Sequence, residues 1–228
     1  MPMSVAVADN HEMTRWGVRS LVESMKGTVV ATAETGLDAV SVVEEHDPDL
    51  LTLSLKLPHL NGFDVLYHLQ RRAAEVDVLM LTTCRDEERV KTVFEMGASA
   101  YLLKQDPLEE LSRAVKAVWT GQHYISDALP TAWMREGVAG TSEHEDPCGA
   151  LSLREREVMQ LTAEGYTSDE IGGHLDISPR TVEKHRENIK EKLGIRTLID
   201  MVRFAAERGF LPDARVLRSR ATAKPGSV

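Results

Sequence analysis

Cysteine is scarce in this sequence, and long apolar runs are absent. Cys84 and Cys148, the two cysteines of the 228-residue chain, lie far apart and belong to no CxxC or Cys/His pattern. This spacing argues against a disulfide framework or a structural zinc site and favours a reducing cytoplasm. No apolar run approaches the ~20 residues that span a bilayer, and the first residues lack the features of a signal peptide. We therefore expect a cytoplasmic protein without a membrane partner.

Enzyme motifs are missing as well. The sequence contains no glycine-rich phosphate loop, no nucleophile next to a general base and no cluster of metal-ligating residues. We therefore predict that the protein is not an enzyme, and we expect no cofactor and no bound metal.

The net charge of −9 is distributed unevenly along the chain. Residues 1–125 carry 12 Lys and Arg against 19 Asp and Glu, whereas residues 151–210 carry 10 against 11. Within the second segment, Ser178–Arg196 has six basic and three acidic residues. Because a phosphate backbone responds to local charge, this basic segment leaves DNA binding open within an acidic protein.

Short β-branched runs alternate with helical patterns in the first 121 residues. The strands are nearly continuously apolar, as is typical of parallel strands that are covered on both faces. The predicted strands are Val5–Ala8, Val29–Ala33, Leu50–Leu55, Val78–Thr82 and Tyr101–Leu103. Helices are predicted near His11–Met25, Leu37–Glu45, Gly62–Arg72, Glu87–Met96 and Pro107–Trp119. Five βα units in series predict an α/β domain with a doubly wound, five-stranded parallel sheet.

The alternation stops after residue 121. Residues 122–150 are rich in Gly, Pro, Ser, Thr and acidic residues and are predicted to be a linker with one short helix near Leu129–Arg135. Residues 211–228 are polar and are predicted to be a disordered tail.

Residues 151–210 are predicted to be an all-α domain of four helices. Ser152 and Glu155 form one capping-box pattern, and Thr167 and Glu170 form a second. Ser178-Pro179 begins a third helix that ends at Gly194, and Thr197 begins a fourth that ends at Gly209. The short turn Leu175–Ser178 between the second and third helices is typical of a helix-turn-helix, whose second helix lies in the major groove.

Polar side chains of the third helix are the predicted DNA contacts. Lys and Arg can pair with phosphates or guanine, and Glu can accept a hydrogen bond from cytosine. The alternative, a solvated helix face, is disfavoured because the Glu183–Glu187 and Glu187–Glu191 spacings bring like charges together. His185 has no partner ligands nearby, which favours a structural or phosphate-facing role over a metal site. The predicted set is Arg180, Thr181, Glu183, Lys184, His185, Arg186, Glu187 and Lys190.

These motifs resemble the LuxR-type DNA-binding domain over the whole of residues 151–210. The resemblance is carried by Leu153–Val158, Glu170-Ile171, Ile177-Ser178, Thr181–His185 and Lys192–Gly194. It implies that Thr181–Lys190 is the recognition helix and that Thr197–Arg208 serves dimerisation on DNA.

The α/β domain is similar to response-regulator receivers, and the full chain resembles the NarL/FixJ family of two-component systems. In such a receiver an aspartate accepts a phosphoryl group, acidic neighbours hold Mg²⁺, and a hydroxyl and a lysine contact the phosphoryl group. The resemblance places Asp9, Asn10, Lys56, Thr82 and Lys104 in the pocket, with Tyr101 as the switch aromatic.

Serine occupies the position of the phosphoacceptor. The family has aspartate where this chain has Ser54, and Asn10 replaces the second acidic residue. Asp49 and Asp64 are poor substitutes because they lie at the wrong end of the strand and on the next helix. A serine hydroxyl is a weak nucleophile without a base. Ser54 is therefore predicted to be a remnant of the pocket, and the alternatives are a target of a Ser/Thr kinase or part of a ligand-lined pocket.

The sequence thus predicts a DNA-binding transcription regulator that acts as a dimer under phosphorylation-independent control by an atypical receiver. Its predicted partners are double-stranded DNA, a second copy of the chain, and RNA polymerase or a regulatory protein. The alternative is a receiver-like module that senses a small molecule or partner protein and modulates DNA binding. An ordinary phosphorelay regulator is a third hypothesis, against which Ser54 argues directly.

Overall fold

The computed structural model describes residues 2–129 and 150–207, which fall into two compact units. Most of the predicted linker, with its short helix, and the C-terminal tail lie outside the described residues. The first unit contains a parallel sheet with helices, and the second consists of helices. No helix within the described ranges combines the length and the apolar character needed to cross a bilayer.

The first unit alternates strands with helices, as predicted. Its strands are β1 (Ser4–Ala8), β2 (Thr28–Ala33), β3 (Leu50–Ser54), β4 (Asp77–Thr82), β5 (Ala100–Leu103) and β6 (Tyr124–Ile125). Its helices are α1 (Glu12–Ser24), α2 (Gly36–His46), α3 (Gly62–Arg71), α4 (Glu87–Glu95) and α5 (Leu108–Trp119). The strand order is β2-β1-β3-β4-β5-β6 with parallel pairing. Strand β2 lies on one side of β1 and the later strands lie on the other, so the order in which strands are added reverses between β1 and β3. Ligands of doubly wound sheets bind at such a point.

The sheet has six strands, one more than the five predicted. The additional strand β6 pairs with β5 through Ala100↔Tyr124 and Tyr101↔Ile125, inside the segment that was predicted to be linker. Its two residues are too few to produce the periodic pattern from which a strand is inferred. Ile125 is buried, and the Tyr124 hydroxyl donates to Glu110 Oε2 at 2.7 Å, which attaches this short strand to α5. The α/β unit therefore extends at least to Ile125.

The sheet is covered on both faces, which explains the almost continuous apolar runs of its strands. Every residue of β3 is buried, including Thr52 and Ser54. On one face, Val5, Val7 and Leu79 pack with residues of α1 and α5 such as Val18 and Val115. This burial holds the carboxyl ends of the central strands in fixed register.

Gly62 fixes the chain just beyond β3. A Cβ atom at this position would lie 2.5 Å from the Ser54 carbonyl oxygen and 2.9 Å from Leu55 Cα, both of them backbone atoms. The Gly62 N–H donates to the Leu55 carbonyl oxygen at 2.8 Å. A glycine is therefore required for α3 to begin so close to the end of the strand that presents Ser54.

The second unit contains α6 (Leu153–Ala163), α7 (Ser168–Leu175), α8 (Pro179–Leu193) and α9 (Leu198–Glu207). Both capping boxes are formed, Ser152 with Glu155 and Thr167 with Glu170. The Ser178 side chain caps α8, and Gly194 ends it in the left-handed conformation at φ 65°. These start and stop residues agree with the sequence prediction, whereas the predicted end of α9 at Gly209 lies outside the described residues.

A tight turn joins α7 to α8. Asp176 adopts φ 52°, and a Cβ atom on Gly172 would lie 2.6 Å from the Ile177 carbonyl oxygen, so α7 and the turn are in close backbone contact. Ile171, Val182 and Ile189 are completely buried between the helices. The spacing of these apolar residues orients α8 so that its opposite face is available to solvent.

Candidate DNA-binding interface and receiver pocket

Four neighbouring strands of the sheet end at one edge and bring the predicted pocket residues together. The register pairs Ala8 with Leu53, Ser54 with Leu81, and Thr82 with Leu103. Asp9 directly follows β1, and Lys104 directly follows β5. The edge therefore presents Asp9, Ser54, Thr82 and Lys104 from successive strands.

Asp9 is the charged centre of this edge. Its buried carboxylate pairs with Lys104 Nζ at 2.6 Å through Oδ2, and Oδ1 accepts from the His11 N–H at 2.9 Å. His11 Nδ1 lies 3.2 Å from the same Oδ1. Since β3 and β4 lie between β1 and β5, the Lys104 side chain reaches across the ends of both intervening strands. The lysine that would contact a phosphoryl group is thus engaged with a carboxylate of the protein itself.

Two residues at this edge were not predicted. His11 contacts the Asp9 carboxylate, and Arg15 Nη1 donates to the Asp9 carbonyl oxygen at 2.8 Å. Arg15 also forms an ion pair with Glu34. The sequence gives little signal for these roles, because they depend on how the first turn of α1 follows β1.

Ser54 ends β3 and is buried. It supplies a neutral hydroxyl where a phosphoacceptor would supply a carboxylate, and Lys56 lies two residues further on with a partly exposed side chain. Asn10, also partly exposed, stands beside Asp9.

The donor set does not fit the divalent cation that the family resemblance implies. Mg²⁺ binds through carboxylates and substrate phosphates, but Asp9 is the one carboxylate among the predicted pocket residues, with Oδ1 accepting from the His11 N–H and Oδ2 in an ion pair with Lys104. Asn10 adds a neutral amide oxygen that makes no hydrogen bond within the described residues. In that same part of the chain, no group of three or more His, Cys, Asp and Glu side chains could hold a metal ion.

Thr82 and Tyr101, the predicted switch residues, are connected through Cys84. The Cys84 N–H donates to Thr82 Oγ1 at 3.1 Å, and the Tyr101 hydroxyl donates to the Cys84 carbonyl oxygen at 3.0 Å. Tyr101 is fully buried, and this burial raises the pKa of its hydroxyl well above the ordinary value. The aromatic ring is therefore held inward as a neutral hydrogen-bond donor. Cys84 makes both hydrogen bonds through backbone atoms. Its side-chain type therefore could not indicate this role in the sequence.

Helix α8 exposes a mixed set of charged side chains. Arg180, Glu183, Lys184 and Glu187 are exposed, and their spacing places them on one side of the helix. Thr181, His185 and Lys190 are partly buried. Thr181 also participates in the helix cap, since its N–H donates to Ser178 Oγ at 3.1 Å.

The prediction that Arg186 faces outward is wrong. Its side chain is buried, and its guanidinium donates to Thr162 Oγ1 at 3.0 Å, the Tyr166 carbonyl oxygen at 3.1 Å and Ser168 Oγ at 2.7 Å. The physical reason is the helical period, because Arg186 lies four residues after Val182 and three before Ile189, both buried. Arg186 therefore connects α8 to α6, to the loop after α6 and to α7.

Glu183 is the exposed partner of this buried arginine. Arg186 Nη1 donates to Glu183 Oε1 at 2.8 Å, and Ser168 Oγ donates to the same oxygen. The Ser168 hydrogen bond, followed by the charge of Arg186, holds the pKa of the Glu183 carboxyl below its usual value. Sequence reasoning considered repulsion with Glu187 and missed this pair at i, i+3.

Both units match known protein families. Residues 5–116 match the model of the response regulator receiver domain, and residues 149–205 match that of the luxR family of bacterial regulatory proteins. The oxygen regulatory protein NreC of Staphylococcus aureus (strain MRSA252) is 34% identical over 215 residues, which cover 92% of this chain and 99% of the relative. This chain is a response regulator of the NarL/FixJ family. It is accordingly a DNA-binding transcription regulator of two-component systems.

Solved structures share the fold. RcsB of Salmonella typhimurium is 22% identical, with a TM-score of 0.54 over 90% of this chain and 98% of that chain. The receiver domain of the response regulator NarL from Mycobacterium tuberculosis is 28% identical, with a TM-score of 0.51 over 53% of this chain and 98% of that chain. At its level of identity, the likeness to RcsB is evidence for the fold alone.

Replacing Lys104 by Met should destabilise the receiver, because the buried Asp9 carboxylate then loses its counter-charge. We expect a loss of about 3 kcal/mol in the free energy of unfolding, measured by urea denaturation followed by circular dichroism. Adding Asp9→Asn to Lys104→Met should restore part of the loss, since no unpaired charge is left buried. Lys116→Met, an exposed lysine on α5, is the control and should cost less than about 0.5 kcal/mol. Equal effects of the two lysine variants would contradict a stabilising ion pair.

Proposed function

We propose that this response regulator binds specific DNA as a dimer and that its receiver controls binding without aspartyl phosphorylation. The observation that supports the proposal best is Ser54 at the acceptor position, beside an Asp9 whose carboxylate is paired with Lys104. The receiver includes the chain up to Ile125, residues 151–210 are the DNA-binding domain, and the residues between them serve as the linker.

The chemistry of phosphoryl transfer supports the first part of this proposal. A receiver needs a carboxylate to attack the phosphorus atom and a cation to neutralise the charge of the transferred group. Ser54 supplies no carboxylate and Asn10 supplies no charge. Asp9 is already neutralised by Lys104. The pocket therefore lacks both the carboxylate that would attack phosphorus and the second acidic residue that would help to hold a cation.

The DNA-binding part rests on the exposed face of α8. Arg180 and Lys184 lie near its N-terminal end and Lys190 further along, all within reach of groove and backbone phosphates in a helix-turn-helix complex. The related RcsB has been solved as a complex with DNA. Because the whole domain is nearly neutral, affinity depends on a few contacts, and it should fall as salt concentration rises.

Dimerisation is supported by an apolar surface on α9. Leu198, Ile199 and Val202 lie within one turn of each other and are exposed, Ile199 to 77%. An exposed apolar cluster of this kind is typical of a protein–protein contact. RcsB is described as dimers bound to DNA. A dimer would place two α8 helices on half-sites about one helical turn apart, roughly 34 Å.

A second candidate function concerns the receiver as a docking module. Met13, Trp16 and Leu108 are exposed on α1 and at the start of α5, beside a groove of about 300 Å³ lined by Gly17, Leu111 and neighbouring residues. This apolar surface favours control by a partner protein over control by a small molecule, because three large side chains form a broad contact and the groove is open.

Intact-mass spectrometry after incubation with acetyl phosphate and Mg²⁺ tests whether an aspartate is phosphorylated. The native chain should show no stable adduct of one phosphoryl group on an aspartate, because Ser54 and Asn10 replace two of the three carboxylates that the family resemblance implies. The matched control is Asn10→Asp combined with Ser54→Asp, which restores the two carboxylates and should gain an acid-labile adduct. An adduct on an aspartate of the native chain at substantial occupancy would contradict the proposal.

The Ile199→Glu variant tests whether α9 forms the dimer contact. A buried charge at the contact should shift the protein towards monomer in sedimentation velocity and reduce affinity for a two-half-site operator by about tenfold or more. Because Ile199 is exposed, the fold should be unaffected. Ile199→Leu keeps the apolar surface and should behave like the native chain, whereas Trp16→Glu tests the receiver surface in the same assays. An unchanged oligomeric state and affinity in Ile199→Glu would exclude α9 as the contact.

A further inference from the structure

Glu183 is an unexpected side chain on a helix that binds a polyanion. It is the fifth residue of α8. In helix-turn-helix proteins, the N-terminal residues of the recognition helix contact base edges. The Glu183 side chain is 56% exposed, on the same side as Arg180, Lys184 and Glu187. A carboxylate is repelled by phosphates, so its presence there needs a specific explanation.

The carboxylate is fixed by two donors that converge on one of its oxygens. Ser168 Oγ and Arg186 Nη1 both donate to Oε1, and Arg186 Nη1 also donates to Ser168 Oγ at 2.7 Å. The guanidinium is itself immobilised through Thr162 and the Tyr166 carbonyl oxygen. Within the described residues, the hydrogen bonds of the Glu183 side chain all go to Oε1 and none uses Oε2, in a side chain that is 56% exposed.

This arrangement selects the side-chain conformation before DNA arrives. A free glutamate loses rotamer entropy when it is immobilised at an interface. Here that ordering already exists in the folded domain, because one end of the carboxylate is bonded to α7 and to a buried arginine. The group also stays ionised at neutral pH, since the same hydrogen bonds lower the pKa of the Glu183 carboxyl.

An ionised carboxylate can accept hydrogen bonds but cannot donate them. In the major groove, guanine presents the acceptors N7 and O6 and thymine presents the acceptor O4, so both repel it. Adenine presents an N6 donor next to an N7 acceptor, whereas cytosine presents the N4 donor without an adjacent acceptor on the same base. Cytosine is therefore the base that a fixed carboxylate fits best.

We infer that Glu183 is a specificity-determining residue that reads a cytosine in each half-site, and that Ser168 and Arg186 are the positioning residues that aim its free oxygen. The inference rests on the proposed DNA-binding function and deepens it. It also gives Arg186 a role that does not require contact with DNA.

The test is selection of bound DNA from a random pool by the full chain, without a phosphodonor. The native protein should enrich cytosine at one base pair of each half-site. Glu183→Gln should change the preferred base at that position from cytosine to adenine, because a carboxamide can both donate to N7 and accept from N6. Competition between sites that differ at this base pair should show a preference of about tenfold that reverses between the two proteins.

One further variant tests the positioning role. Ser168→Ala leaves Glu183 in place but removes one donor to Oε1, so it should weaken the cytosine preference at the same base pair. Preferences at the other base pairs should remain, which a general loss of folding would not produce. Glu191→Gln alters an exposed carboxylate of α8 that lies outside the predicted set of DNA contacts and should leave the preference at this base pair unchanged.

The outcomes separate this inference from the function on which it depends. If Glu183→Gln selects the same motif as the native chain, the inference is overturned while the DNA-binding function stands. If Ser168→Ala weakens every base pair equally, the positioning role is overturned. If the native chain enriches no motif, both the proposed function and the inference fail.

Discussion

The ion pair between Asp9 and Lys104 holds together the edge of the sheet at which the predicted pocket residues lie. It joins the residue after β1 to the residue after β5, across the ends of the strands between them. In a phosphorylatable site the lysine must be available to a phosphoryl group, and the carboxylates must be available to a cation. Here the two opposite charges satisfy each other in a buried position, and Ser54 adds no charge that would compete for the lysine.

A comparable constraint shapes the DNA-binding unit. Arg186 is a cation inside a small helical domain, and burying a guanidinium is unfavourable unless its donors have partners. Thr162, Ser168 and the Tyr166 carbonyl oxygen satisfy those donors from three parts of the chain. The same hydrogen bonds that make the burial tolerable also fix α8 against α7. The packing of α8 in this unit thus relies on the Arg186 side chain.

The sequence predicts the fold because local signals and packing agree over most of its length. The capping boxes at Ser152 and Thr167, and the glycine that ends α8, act within one or two helical turns and are visible in the chain itself. The positions of Asp9, Ser54, Thr82 and Lys104 follow from the ends of the predicted strands. In contrast, β6 is too short to produce a periodic pattern. The roles of His11, Arg15 and Arg186 depend on contacts between elements, which a residue type does not reveal.

Whether DNA binding depends on aspartyl phosphorylation can be measured as operator affinity with and without a phosphodonor. The operator obtained by random-pool selection is titrated by fluorescence anisotropy with the full chain, in Mg²⁺ alone and in Mg²⁺ with acetyl phosphate. The dissociation constant of the operator complex should be the same in both conditions. An increase in affinity of about tenfold or more with acetyl phosphate, lost when the remaining pocket carboxylate is removed by Asp9→Asn, would contradict this expectation.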